Sequence, residues 1–410
     1  MRLLPASALA LIACAACAAE PQAVSETMRI YNGLVKISSG RTYQISTNGT
    51  AAVKFVGSLF DGYDIWNPQL QTRLSQIPES KICITSTMVG DRVDFSVRGK
   101  LPGDTRFGEE LAAVKPVAPG LLRYIPSNAS LAYISAVPGD SPLEGHMLVV
   151  RARFVEQLRA LMPGRATYRD FAMFAAPARK GAGIAVVFVF RLASAVPPLD
   201  SLEGKKVASL FTIAKAPDCD SPPPEGFCRY QLTSSFKDAL GGPAGQAEEM
   251  LRFGAAANGV MGPMTMECTC RDGFVFFDIG PAGDLADRLD RPEAGSFNVQ
   301  SLVPLQHPDL KSSSIRSAVY SSPSAVARRA IAGLGPLLKP VLSGLAQDGD
   351  GFSGVVAVLP SGEFLWGWSA TRSELEAMEK NEGVAQNAFK TILMQAVHMR
   401  AFGGRKGGGQ

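Results

Sequence analysis

The feature that most constrains this chain is a strand–turn–strand segment that occurs twice. It runs first as Ile82-Cys-Ile-Thr-Ser-Thr-Met-Val-Gly-Asp-Arg-Val-Asp-Phe-Ser-Val97. It returns 182 positions later as Met264-Thr-Met-Glu-Cys-Thr-Cys-Arg-Asp-Gly-Phe-Val-Phe-Phe-Asp-Ile279. In each copy two alternating runs flank a two-residue turn, Gly90-Asp91 or Asp272-Gly273, and such dipeptides supply positive φ at little cost. Pairing outward from the turn puts Ile84, Ser86, Met88, Val93, Phe95 and Val97 on one face of the first hairpin. The same operation gathers Met266, Cys268, Cys270, Val275, Phe277 and Ile279 in the second. Side chains alternate across a strand, so both hairpins are expected to turn the same largely apolar face to a core.

The likeness extends past the hairpin. With the offset held at 182 from residue 82 to 137, eleven of 56 positions are identical, against roughly three or four expected from ordinary composition. They include Val93/Val275, Phe95/Phe277, Arg106/Arg288 and the run Ser135-Ala-Val137 against Ser317-Ala-Val319. Upstream, Tyr43-Gln-Ile-Ser-Thr47 is like Tyr230-Gln-Leu-Thr-Ser234 at an offset of 187; downstream, Phe171–Pro177 is like Gly354–Pro360 at 183. The repeating unit is about 170 residues, the size of a domain and not of a solenoid repeat. The expectation is a tandem duplication, with one unit over 28–195 and a second over 205–372.

Within unit one, Arg29–Tyr31, Leu34–Ile37, Thr42–Ser46 and, after the turn at Asn48-Gly49, Ala52–Val56 read as strands. Asn67-Pro68 reads as a helix start, followed by Leu70, Leu74 and Ile77 at helical spacing. A polar stretch from Gly99 to Gly120 precedes a strand over 130–137, a helix over 152–162 and a hairpin of 171–177 with 184–190. Unit two has a first hairpin of 206–214 with 228–234, helices near 243–257 and 324–345, and a last hairpin carrying Phe364-Leu-Trp-Gly-Trp368. Ser373-Glu-Leu-Glu376 has the form of a capping box and opens a C-terminal amphipathic helical segment over 373–402. A locally basic, Gly-rich tail follows at 403–410. Antiparallel strands interleaved with single helices predict an α+β fold: two tandem homologous domains, each a mainly antiparallel sheet with a few packed helices.

The N-terminus carries an address. A basic start and a short apolar run over residues 1–19 read as a secretory signal peptide. Leu11-Ile-Ala-Cys14, at the end of that run, resembles a bacterial lipobox. The resemblance covers these residues alone. It implies that Cys14 becomes the lipidated N-terminus, with Ala15 after it implying the outer membrane of the cell envelope. Each buried CH₂ of an acyl chain contributes about 0.8 kcal/mol, so a multiply acylated cysteine would hold the protein at a membrane. Cleavage near residue 19 is the alternative, leaving a periplasmic or secreted protein.

The chain as a whole has the composition of a globular protein: 410 residues, 46% hydrophobic, 41 basic against 37 acidic side chains. That near-balance argues against a nucleic-acid binder. With three histidines, none at ligand spacing from a cysteine or another histidine, neither a metal nor a cofactor is expected. Cys268 and Cys270 read as buried thiols on the core face. Cys219 and Cys228, across a Pro-rich loop, are the disulfide candidates. Glu267 and Asp278 fall opposite each other on the second hairpin, the closeness that separates the pKa values of acid–base pairs; the blander reading is a solvated face with Arg271 as compensation. Ser234-Ser-Phe-Lys237 matches the Ser-x-x-Lys of penicillin-recognising serine enzymes, without the motifs that normally accompany it. No residue is assigned as catalytic. The sequence therefore points to an exported, membrane-tethered protein that binds or supports, with a protein partner or an apolar ligand. A divergent envelope hydrolase built on Ser234/Lys237 or Glu267/Asp278 and a soluble secreted carrier are the alternatives. A scaffold docking through the terminal helix or the Trp366/Trp368 strand is a third.

Overall fold

Both repeated hairpins form in the register that their turns dictate. In the computed structural model the described residues are 43–48, 50, 51, 54, 82–100, 106–137, 168–179, 184–193, 199–207, 211–216, 223–234, 264–291, 310–322, 325, 329, 351–374, 376 and 377. The first hairpin joins β2 (Ile82–Val89) to β3 (Arg92–Lys100), with Ile84 opposite Val97; the second joins β10 (Met264–Arg271) to β11 (Phe274–Gly280), with Met266 opposite Ile279. The turns differ in type. Gly90 alone takes positive φ (65°) in the first, whereas Asp272 (54°) and Gly273 (80°) both do so in the second. These are the two mirror-image turns whose twist suits a hairpin.

The remaining strands are β1 (Tyr43–Thr47), β4 (Leu131–Ser135), β5 (Tyr168–Pro177), β6 (Ile184–Leu192), β7 (Lys206–Val207), β8 (Phe211–Lys215), β9 (Phe227–Ser234), β12 (Ile315–Ser321), β13 (Phe352–Val358) and β14 (Glu363–Thr371). All fourteen lie in one antiparallel sheet, in the order β1-β2-β3-β14-β13-β12-β4-β5-β6-β11-β10-β9-β8-β7. This overturns the expected α+β fold of two tandem domains: the chain is mainly β and its halves share one sheet. The helices with described bounds are short, α1 (Arg106–Ala113), α2 (Pro119–Leu122) and α3 (Asp284–Asp290).

The reason lies in which strands pair. The hairpin β2–β3 of the first half bonds to β14 of the second, and β10–β11 of the second bonds to β6 of the first. At the middle β4 runs antiparallel to β12, with Ser135 directly opposite Ser317. Those two serines are repeat equivalents, so a pseudo-twofold axis passes between them. Exchanging each strand for its repeat equivalent reads the order from β1 to β9 backwards. Register also corrects one offset. Tyr43 lies opposite Ser86 as Cys228 lies opposite Cys268, so Tyr43 corresponds to Cys228 and not to Tyr230.

Following register across the central strands separates two faces. On one lie Ile134, Ala172, Phe174, Val187, Val189 and Phe276, packed in a core with Leu121, Leu285 and Leu289. On the other lie Phe171, Phe188, Phe190, Val275 and Phe277, clustered with Leu199, Leu202 and Ile213. Every residue of β11 is buried. Burial on both sides is why β6 and β11 read as continuous apolar runs and not as alternating ones. Each fully buried Phe stabilises the fold by about 1.5–3 kcal/mol relative to exposure.

Some local expectations also change. Lys54, inside the expected strand Ala52–Val56, is helical, as are Thr50 and Ala51 before it; Asn48 Oδ1 accepts from Ala51 N at 2.8 Å, an N-cap in place of a hairpin turn. The stretch 99–120, read from the sequence only as polar, holds α1 and the start of α2. Thr371, two residues ahead of the expected Ser373, caps the next helix through Glu374 N at 3.3 Å. The expected helices at 67–77, 152–162 and 243–257, and the part of the 373–402 segment beyond residue 377, lie outside the described residues.

Gly99 exposes the tightness of the β3–β14 seam that joins the halves. A Cβ there would sit 2.9 Å from the Phe364 ring and 3.1 Å from Ile82 Cγ1. Gly99→Val is expected to lower unfolding free energy by about 1–3 kcal/mol through overpacking, measured by chemical denaturation; an unchanged midpoint would refute this packing.

Candidate functional site

The second hairpin carries polar chemistry on both of its faces. Glu267 lies in a row across three strands, opposite Arg229 of β9 on one side and Asp278 of β11 on the other. The row is buried, with Glu267 and Asp278 each 2% exposed. This replaces the expected solvated face. Nor is Arg271 the compensating cation: it reaches outward to Asp290 at 3.0 Å.

Arg229 Nε and Nη2 each approach Glu267 Oε1 at 2.8 Å. The same oxygen accepts from Gly283 N at 2.7 Å, and Oε2 accepts from Leu285 N at 3.3 Å. The carboxylate thus caps the start of α3, where unpaired N–H groups and the helix dipole favour negative charge. At the other end, Arg179 Nη1 donates to Asp287 O at 2.8 Å and to Arg291 O at 2.5 Å. Between these ends, Arg288 Nε donates to Asp284 Oδ2 at 2.6 Å, and Arg288 Nη2 donates to Pro177 O at 2.5 Å. Asp284 Oδ1 in turn accepts from Arg179 N at 2.5 Å. The geometry docks a short helix onto the sheet from both ends and from beneath.

Asp278 is the unbalanced member. Glu267 is paired with Arg229 and Asp284 with Arg288, while neither Asp278 oxygen has a guanidinium or amide donor. Burial pushes its carboxyl well above the usual carboxylate range; the Asp284 charge adds to this, Arg288 opposes it, and Glu267 adds a smaller push. Burial and the neighbouring Asp284 charge thus favour the protonated form of Asp278. A buried carboxyl without its own cation keeps its proton because the alternative is an uncompensated charge.

The opposite face of the same strands holds thiols. Cys268 of β10 stands directly opposite Cys228 of β9, and Cys270 lies two residues along on the same face. Cys228, Cys268 and Cys270 are free thiols, with Cys268 fully buried and the other two half-buried. Burial raises all three pKa values, that of Cys270 to about 11. Tyr230 beside them donates its hydroxyl to Leu199 O at 2.5 Å, and burial pushes it up to about 12. Among the described residues, no group of three or more His, Cys, Asp or Glu side chains is placed to hold a metal ion.

The structure thus brings Glu267 and Asp278 together and places Cys228 beside Cys268. Cys14, Cys219 and Lys237 lie outside the described residues; Ser234 ends β9, and nothing is described of its side chain. Arg229, Asp284 and Arg288 belong to the cluster and were not among the sequence's candidate site residues; Arg288 entered only as the repeat equivalent of Arg106. The spacing Asp284/Arg288 is an i, i+4 pair, the one local signal that identifies part of it. No protein-family model matches the chain, and no curated protein or solved structure matches it either.

Two substitutions separate the carboxyls. Glu267→Gln leaves buried Arg229 without its counter-charge and is expected to cost about 3–5 kcal/mol, read from denaturant midpoints. Asp278→Asn keeps the shape of a group already neutral, so its cost should be small near pH 4. Because the folded pKa of Asp278 is raised, its favourable protonated state is fully present below the unfolded value and is lost as pH rises toward the folded one. The stability of Asp278→Asn relative to wild type should therefore climb from about pH 4 upward. A pH-independent difference would contradict the assignment.

Proposed function

We propose that the protein is a membrane-tethered lipoprotein of the bacterial cell envelope whose folded part binds or supports and does not catalyse. The tether rests on Leu11-Ile-Ala-Cys14. The non-catalytic reading rests on one observation: both oxygens of Glu267 are occupied by Arg229 and the start of α3. A carboxylate so committed is a poor general base, since proton abstraction needs a free lone pair within reach of substrate. The hydrolase built on Glu267/Asp278 is disfavoured on the same ground.

A sheet of fourteen strands spaced about 4.8 Å apart extends roughly 60 Å, and its central strands are filled on both faces. Such a layer supports a broad, stiff presenting surface. The Trp366/Trp368 strand is weakened as a docking edge, because β14 is paired on both sides, with β3 and β13. Trp366 also packs edge-on against Phe95, with ring centroids 5.8 Å apart. A protein partner or an apolar ligand remains the class of target this reading assigns. No described helix is long and apolar enough to cross a membrane. The membrane attachment proposed is the lipid on Cys14, on the strength of the lipobox-like Leu11-Ile-Ala-Cys14.

Intact mass and membrane fractionation of wild type and Cys14→Ala, in a host that processes lipoproteins, test the tether. The expected result is a diacylglycerol or triacyl mass on Cys14, with the variant released from membranes. Cleavage near residue 19 without modification would reject the tether and favour the secreted carrier.

A further inference from the structure

We propose that Cys228 and Cys268 are a redox pair that closes into a cross-strand disulfide, leaving Cys270 as a free thiol beside it. The first support is register. The two residues are direct partners in the antiparallel β9–β10 ladder, where opposed Cα atoms are about 4.5 or 5.5 Å apart. Either separation falls within the range a disulfide spans. The second support is contact. Cys268 Sγ lies 3.8 Å from Cys228 O, the backbone of its partner residue. Cys268 and Cys270, on one strand with an intervening residue, have Cα atoms about 6.5–7 Å apart, at the limit for a bond.

Exposure orders the steps. Cys228 is half-buried and Cys268 fully buried, so Cys228 meets the oxidant first. As a thiolate it attacks a low-molecular-weight disulfide, forming a mixed disulfide and expelling one thiolate, which takes up a proton. Cys268, in contact, loses its proton and attacks the Cys228 sulfur, and the second thiol leaves. One small disulfide is reduced to two thiols while two protein thiols become one disulfide, a transfer of two electrons. Burial holds the thiols protonated at neutral pH, so closure is slow there and quickens with alkalinity. The bond would staple β9 to β10 on the side opposite the helix-docking cluster. It would also compete with the Cys219–Cys228 pairing that the Pro-rich loop suggests.

The test uses the full-length reduced protein, incubated with oxidised glutathione at alkaline pH, alkylated with N-ethylmaleimide and digested with trypsin. Tandem mass spectrometry should find peptide 216–229 linked to 253–271 with the loss of two hydrogens. Fragment ions should place the bond on Cys228 and Cys268, with alkylation on Cys219 and Cys270. Cys219→Ser and Cys270→Ser should retain the linkage, and both leave the buried thiol untouched. A Cys219–Cys228, Cys228–Cys270 or Cys268–Cys270 bond would overturn the proposal. So would a stable glutathione adduct on Cys228, or full alkylation of Cys228 and Cys268 after oxidation.

Discussion

The antiparallel pairing of β4 with β12 is the interaction on which the rest of this structure depends. Its five residue pairs, from Leu131/Ser321 to Ser135/Ser317, place the two halves about a pseudo-twofold axis. That axis sends the last hairpin of each half toward the repeated hairpin, β2–β3 or β10–β11, of the other. Neither half then keeps its strands to itself: β3 is completed by β14, and β11 by β6. A strand left unpaired would expose a row of backbone donors and acceptors. The cost of separating the halves is therefore carried by backbone hydrogen bonds as well as by apolar contacts.

Duplication has not kept the halves chemically alike. At the positions of Glu267 and Asp278 the first hairpin has Thr85 and Ser96, and at Cys268 and Cys270 it has Ser86 and Met88. The second half has acquired buried charge on one face and thiols on the other, with β10 supplying both. Buried ion pairs add little net stability over apolar packing, because desolvation offsets most of their attraction. What they add here is orientation: Glu267, Arg179 and Arg288 fix where α3 begins, ends and rests. The second half is the chemically specialised one.

Much of the fold was legible where chemistry is local. The two hairpins are announced by period-two alternation and by Gly90-Asp91 and Asp272-Gly273, and β5, β6, β13 and β14 by short apolar runs bounded by turns. The exchange of strands between halves was not legible, because pairing β3 with β14 depends on residues more than 260 apart and leaves no local mark. The β-branched segment Ala52–Val56 suggested a strand until Asn48, as a cap, favoured a helix. In the cluster, the opposition of Glu267 and Asp278 followed from hairpin register alone. The cation that neutralises Glu267 did not, because Arg229 arrives from a different strand across a loop. The same blindness hid Cys228 beside Cys268.

Interlocking of the halves is the central claim, and hydrogen exchange along a denaturant series of the full-length protein tests it most directly. Amides of β2–β3 and of β10–β11 would be followed separately by mass spectrometry. The account predicts one cooperative transition, with both hairpins losing protection at the same denaturant midpoint. Separate midpoints, with one hairpin protected after the other has opened, would contradict it and return the chain to two independent domains.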